Sequence, residues 1–251
     1  MNLLTQALHL VGSGAVAYIT AAQIRDPQTR PNLLAGFQLA ESGSVPFLKA
    51  LSDRAAQEGD SWLAERLAAH AEDEQRHGQI FAHALKQLNK QVIDFKSLPQ
   101  TQSDGKPEER RRSPFFAEYY KGHDFKDLAP DRIDWQVFFG STYILELDAC
   151  KDFVRMAGAL PEDAVSRNLQ KGLLSIAKDE QGHAAYLREA MGRRLTYAQA
   201  EALVDEWRTR KVNALLAMTT DLIQKGGKMT TLARDGVPNE LSDSEKELAI
   251  A

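Results

Sequence analysis

Two short stretches of the chain are near copies. Ala71-Glu-Asp-Glu-Gln-Arg-His77 and Ala177-Lys-Asp-Glu-Gln-Gly-His183 lie 106 residues apart and share Ala, Asp, Glu, Gln and His at matching places. In each, a glutamate precedes a histidine by three residues: Glu74 and His77, then Glu180 and His183. On a helix that spacing puts a carboxylate and an imidazole one turn apart on one face. Oxygen and nitrogen donors so arranged can hold a metal ion. A doubled motif, each copy with a lone glutamate upstream (Glu41 and Glu146), points to two ions sharing carboxylates.

The elements that must position these groups read as helices, and strand signals are almost absent. A first segment starts near Pro31, with a stripe at Leu33, Leu34, Phe37, Glu41, Ser44, Leu48 and Leu51. The second starts near Asp60-Ser61 and carries Leu63, Leu67, His70, Glu74, His77, Phe81 and Leu85. The third begins around Ile133 and contains Trp135, Phe139, Thr142, Glu146 and Phe153; the fourth follows Leu160-Pro161 with Leu169, Leu173, Ile176, Glu180, His183 and Leu187. Every acid lies on an apolar stripe, where an uncompensated charge is costly.

The first two segments and the last two are joined by short breaks, so each pair is expected to form an antiparallel hairpin. Glu41 and Glu74 have their sequence midpoint between Gln57 and Glu58, inside the first turn. Glu146 and Glu180 have theirs at Asp163, beside the second. Both pairs should therefore face each other at equal height. Between the hairpins lie about forty residues, roughly 90–132, a crossover long enough for the second and third segments to run parallel. Six side chains then converge: Glu41, Glu74, His77, Glu146, Glu180 and His183. This donor set suits iron or manganese better than structural zinc, and two divalent cations would offset four carboxylates.

On Glu41, Glu74-Gln-Arg-His77, Glu146 and Glu180-Gln-Gly-His183, the chain resembles the ferritin-like di-iron carboxylate superfamily, which includes bacterioferritins, rubrerythrins and aldehyde-deformylating oxygenases. The resemblance covers the four segments, about 31–194. It implies an all-α ferritin-like four-helix bundle with the long crossover, plus extra helices at the two ends. It also implies that Glu74 and Glu180 bridge two irons. Glu41 and His77 would be terminal on one ion, and Glu146 and His183 on the other. Activation of oxygen or peroxide between the ions is the chemistry it carries; manganese or a mixed pair would use the same ligand types.

Asp73 and Asp179 precede the two repeat glutamates, and each is expected to accept the outer ring N–H of the opposite hairpin's histidine. Tyr143, one turn before Glu146, is the candidate catalytic side chain, as an electron relay or a hydrogen-bond donor; an ordinary buried tyrosine is the competing reading. His70 reads as an extra ligand or proton carrier, or as a hydrogen-bonded core histidine, and the second is favoured because its counterpart in the repeat is Ile176. Phe115, Phe116, Tyr119, Tyr120, Phe125, Phe138 and Phe139 are candidates for lining an apolar pocket, or plain core. Arg110 to Arg112, beside Glu108 and Glu109, reads as a solvated charge cluster.

A net charge of -4 gives no pull toward nucleic acid or anionic membrane. Cys150, the single cysteine, excludes an intrachain disulfide and a rubredoxin-type iron site, so a separate electron donor is expected, in a reducing cytoplasmic setting. The first 24 residues carry no Lys, Arg, Asp or Glu, but interspersed polar residues make them a buried or partner-contacting helix rather than a membrane span. Thr196 caps a further helix reaching about Lys225 that packs on the bundle or on a second copy in a homodimer. One helical domain over 1–225 and a loosely held polar tail over 226–251 complete the expectation.

Three functions compete. The leading one is an oxygen-activating di-iron oxidoreductase with an apolar small-molecule substrate. The second is a ferroxidase or peroxide scavenger, and the third a non-enzymatic bundle stabilised by metal.

Overall fold

The computed structural model describes residues 3–94, 113–226 and 230–236. Among these are seven α-helices: α1 (Leu3–Arg25), α2 (Arg30–Gln57), α3 (Ser61–Gln87), α4 (Pro114–Tyr119), α5 (Trp135–Ala159), α6 (Ala164–Gly192) and α7 (Tyr197–Gln224). The chain is therefore mostly helical, as the periodicity requires. Helix starts follow local chemistry. The side chains of Asp60, Asp134, Asp163 and Thr196 accept backbone N–H groups in the first turns of α3, α5, α6 and α7. Such caps contribute about 1 kcal/mol each. Thr196 and Gln199 form a reciprocal capping box. The third and fourth segments begin two to three residues later than their apolar stripes suggest, because the capping aspartates and Pro161 hold the preceding backbone extended.

α2 pairs with α3 and α5 with α6, while α3 also meets α6. Hydrogen bonds from Ser52 Oγ to the Ala64 carbonyl and from the Gln170 amide to the Ala157 carbonyl centre on the two short turns, so both hairpins have the register expected of them. Gly59, at φ +84°, takes the left-handed conformation that lets α2 turn into α3. α1 packs on α5, α7 and α2, and α4 packs on α7. Arg30 ties these ends together: its guanidinium donates to the Ile24 and Arg25 carbonyls at the end of α1 and to Ser166 Oγ on α6. No helix among the described residues is long and apolar enough to cross a membrane.

Two apolar clusters make up the core among the described residues. One gathers Leu51, Leu63, Leu67, Phe139, Leu187 and Trp207, the other Leu34, Phe81, Phe153, Leu169, Leu173 and Ile176. Along α3 the first cluster's leucines give way to His70, Glu74 and His77 and then to Phe81 and Leu85; α6 repeats the order in reverse. The polar donors thus form a layer between two water-excluding layers.

One expectation needs correction. The segment after α7 is not uniformly loose, because β2 (Ala233–Asp235) pairs antiparallel with β1 (Lys90–Val92) directly after α3. Asn32 anchors the same segment through Thr230 and Leu232. Three-residue strands carry too little alternation to be read from sequence. Residues 227–229 and 237–251 of the expected tail, and the Glu108–Arg112 charge cluster, lie outside the described residues.

Candidate metal centre

Two groups of side chains each bring four ligand atoms within 4.8 Å of one another: Glu41, Glu74, His77 and Glu180, and His70, Glu74, Glu146 and His183. Glu74 is common to both. All six donors singled out by sequence are present, and His70 joins them. In the first group His77 Nδ1 lies 3.5 Å from Glu41 Oε2, 3.5 Å from Glu180 Oε1 and 3.8 Å from Glu74 Oε1. In the second, His183 Nδ1 lies 3.9 Å from Glu74 Oε1 and 4.0 Å from Glu146 Oε2. Glu180 turns its other oxygen to His183 Nδ1 at 3.2 Å, so its carboxylate spans the two imidazoles. Ser44 Oγ donates to Glu74 Oε2 at 2.8 Å and fixes that carboxylate from α2.

The outer faces of the two histidines are paired across the hairpins. His183 Nε2 is 3.2 Å from Asp73 Oδ2, and His77 Nε2 is 3.3 Å from Asp179 Oδ2. A carboxylate can only accept here, so each ring carries its hydrogen on Nε2 and turns the Nδ1 lone pair inward. Arg76 donates to both aspartates, at 2.9 Å to Asp73 Oδ1 and 2.6 Å to Asp179 Oδ2. One guanidinium therefore steadies both supports. Sequence reasoning passed over it, although the repeat held a signal: Arg76 stands where the second copy has Gly182.

Electrostatics make the layer a poor place for four free anions. Burial, then repulsion from Glu74, pushes Glu41 well above the carboxylate range. Burial, then Glu180, does the same to Glu146. Burial raises Glu180 to about 8. Burial also works against ionised Glu74, but hydrogen bonds with His70 and Glu41 outweigh it and bring Glu74 down to about 2. Burial lowers His77, and it opposes a charge on His183 too, where the Asp73 bond and Glu146 prevail and raise the pKa.

The donor set fits a cation. Among the described residues His77 Nδ1 is buried without a hydrogen-bond partner, yet three carboxylate oxygens lie within 3.8 Å. Donors at about 2.1 Å from a shared ion sit roughly 3–4 Å from one another. The two buried carboxylate–histidine groups are thus competent to hold metal ions.

No family model, curated protein or solved structure matches the chain.

Tyr143 packs against the first apolar cluster, and no hydrogen bond among the described residues joins it to the donors. The tyrosine whose hydroxyl does reach a donor is Tyr186, 2.7 Å from His70 Nδ1. Of the candidate pocket aromatics, Tyr119, Phe138 and Phe139 are core, Phe115 and Tyr120 pack against it, and Phe116 and Phe125 are exposed. Tyr119 and Tyr120 stack edge-on against Trp207, and their role here is to fasten α4 to α7. Cys150 is a free, half-buried thiol.

Proposed function

We propose that the chain is a dinuclear metal oxidoreductase of ferritin-like architecture, with iron as the resident metal and dioxygen or peroxide as the oxidant. The observation that carries this reading is Glu74, shared by two buried donor groups, with Glu180 spanning the histidines of both. Glu41 and His77 would complete one metal position, and Glu146 and His183 the other. Two iron ions held there would supply electrons to dioxygen or peroxide. Asp73 and Asp179 would keep His77 and His183 in the tautomer that binds through Nδ1. The apolar layers on either side would keep bulk water from the polar layer. Manganese or a mixed manganese–iron pair fits the same donors. Electrons would come from a separate donor, since Cys150 alone provides no second redox centre.

A second reading, in which ferrous iron or peroxide is itself the substrate, is favoured by one observation. The aromatic side chains that would line an organic-substrate pocket are used in packing α4, α5 and α7 or point to solvent. Reduced, iron-loaded protein mixed with oxygen separates the two. Turnover of added aldehydes, lipids or amines supports the organic-substrate reading. Oxidation of ferrous iron alone supports the second, and neither reaction rejects both.

A further inference from the structure

His70 and Tyr186 break the repeat in a correlated way. A shift of 106 residues relates Asp73, Glu74 and His77 to Asp179, Glu180 and His183, but it relates His70 to Ile176 and Tyr186 to Ile80. Two apolar positions on one side of the centre are replaced by a hydrogen-bonded polar pair on the other. Both polar residues are buried.

The pair is aimed at the centre. His70 Nε2 lies 3.2 Å from Glu74 Oε1 and 3.7 Å from Glu146 Oε1, and its ring stacks on that of His183 with centroids 3.7 Å apart. Nδ1 meets the Tyr186 hydroxyl at 2.7 Å. Resting on the dinuclear reading above, we propose that His70 is a seventh metal ligand, binding through Nε2 and positioned by Tyr186. The ligating ring carries its one hydrogen on Nδ1, where the Tyr186 oxygen accepts it; Nε2 then presents a lone pair beside those of Glu74 and Glu146. His77 and His183 bind through Nδ1 instead, so the third imidazole enters the centre the opposite way round.

The two metal positions are then unequal. With Glu74 and Glu180 shared, one adds two imidazoles and the carboxylate of Glu146, the other one imidazole and the carboxylate of Glu41. Imidazole-rich sites favour later divalent metals, whereas carboxylate-rich sites accept manganese readily. The His70 side should fill first with cobalt or ferrous iron, and the other side should take manganese.

The test uses the whole chain loaded anaerobically with cobalt(II). Proton NMR in water should show three exchangeable, hyperfine-shifted imidazole N–H signals, two from His77 and His183 and one from His70. His70→Ile, which installs the residue found at the related position, should remove one signal and weaken the tighter cobalt site by at least about tenfold. Tyr186→Phe should keep all three signals but shift the His70 one, which a merely space-filling tyrosine would not do. Two cobalt ions with only two N–H signals in the unmodified protein would overturn the proposal and leave the dinuclear reading standing. Failure of the unmodified protein to bind cobalt, manganese or ferrous iron would overturn both.

Discussion

Asp73 on α3 and His183 on α6 meet at 3.2 Å although 110 residues separate them. Asp179 and His77 make the reciprocal contact at 3.3 Å. Each hairpin thus orients the other's histidine. Asp73→Ala or Asp179→Ala should lower the affinity of the adjacent metal position by about 10–100-fold while leaving the helical content intact. Calorimetric titration with ferrous iron or cobalt checks this, and unchanged affinity would reduce the aspartates to surface charges.

Arg76 links the two supports, so its loss should be felt at both metal positions. Arg76→Ala is expected to weaken both by several-fold, and to add little in a chain that already carries Asp73→Ala and Asp179→Ala, because residues in one network are not additive. Equal effects in the two backgrounds would show that Arg76 acts elsewhere.

The acidity of the polar layer predicts opposite pH responses with and without metal. Glu180 is raised by burial from an ordinary value of 4.5 to about 8, and Glu41 and Glu146 are raised as well. Between those two pH values the folded, metal-free protein holds a proton on Glu180 that the unfolded chain has released, so its stability should climb as pH falls from 8 to 6.5. From 6.5 toward 4.5 the climb slackens, because burial lowers His77 and brings His70 down to about 4, and the unfolded chain protonates these imidazoles first. Below that window Glu74, held down at about 2, protonates and the trend reverses. Metal-loaded protein should instead lose stability as pH falls from 8, since protons compete with the ions. Melting temperatures of the two forms across pH 5–8, an interval of roughly physiological range, check the sign; parallel curves would contradict it.

Away from the site, Gly140 on α5 sits directly under the Trp207 ring of α7, and a Cβ there would run into the indole. Trp207 is fully buried among Tyr119, Tyr120 and His123, so it has little room to move. Gly140→Ala should destabilise the fold by about 1–3 kcal/mol and leave metal affinity unchanged. Denaturant unfolding measures the first and titration the second.

What the sequence made legible is mostly local or tied to short turns. The Glu-x-x-His spacing fixes a face of a helix, Asp60 and Thr196 mark helix starts, and the brief turns set the height at which α2 faces α3 and α5 faces α6. What it hid depends on how the hairpins meet. His70 lies on the legible stripe one turn before Glu74, but the Tyr186 hydroxyl that meets its Nδ1 comes from 116 residues away. Arg76 matters only because Asp73 and Asp179 both come within its reach. The pairing of β1 with β2 joins segments on either side of the four helices α4 to α7 and has no periodic signature. The aromatic residues after position 113 were ambiguous for the same reason: whether a phenylalanine lines a pocket or packs a core depends on which helix lies opposite.

The central claim is that two metal ions share Glu74 and Glu180. Metal analysis by mass spectrometry, on protein loaded anaerobically with ferrous iron and desalted, tests it most directly. The account predicts about two irons per chain, with both lost or severely weakened in Glu74→Ala and in Glu180→Ala while far-ultraviolet circular dichroism stays helical. A chain that retains no iron, or whose bound iron is indifferent to both substitutions, would contradict it.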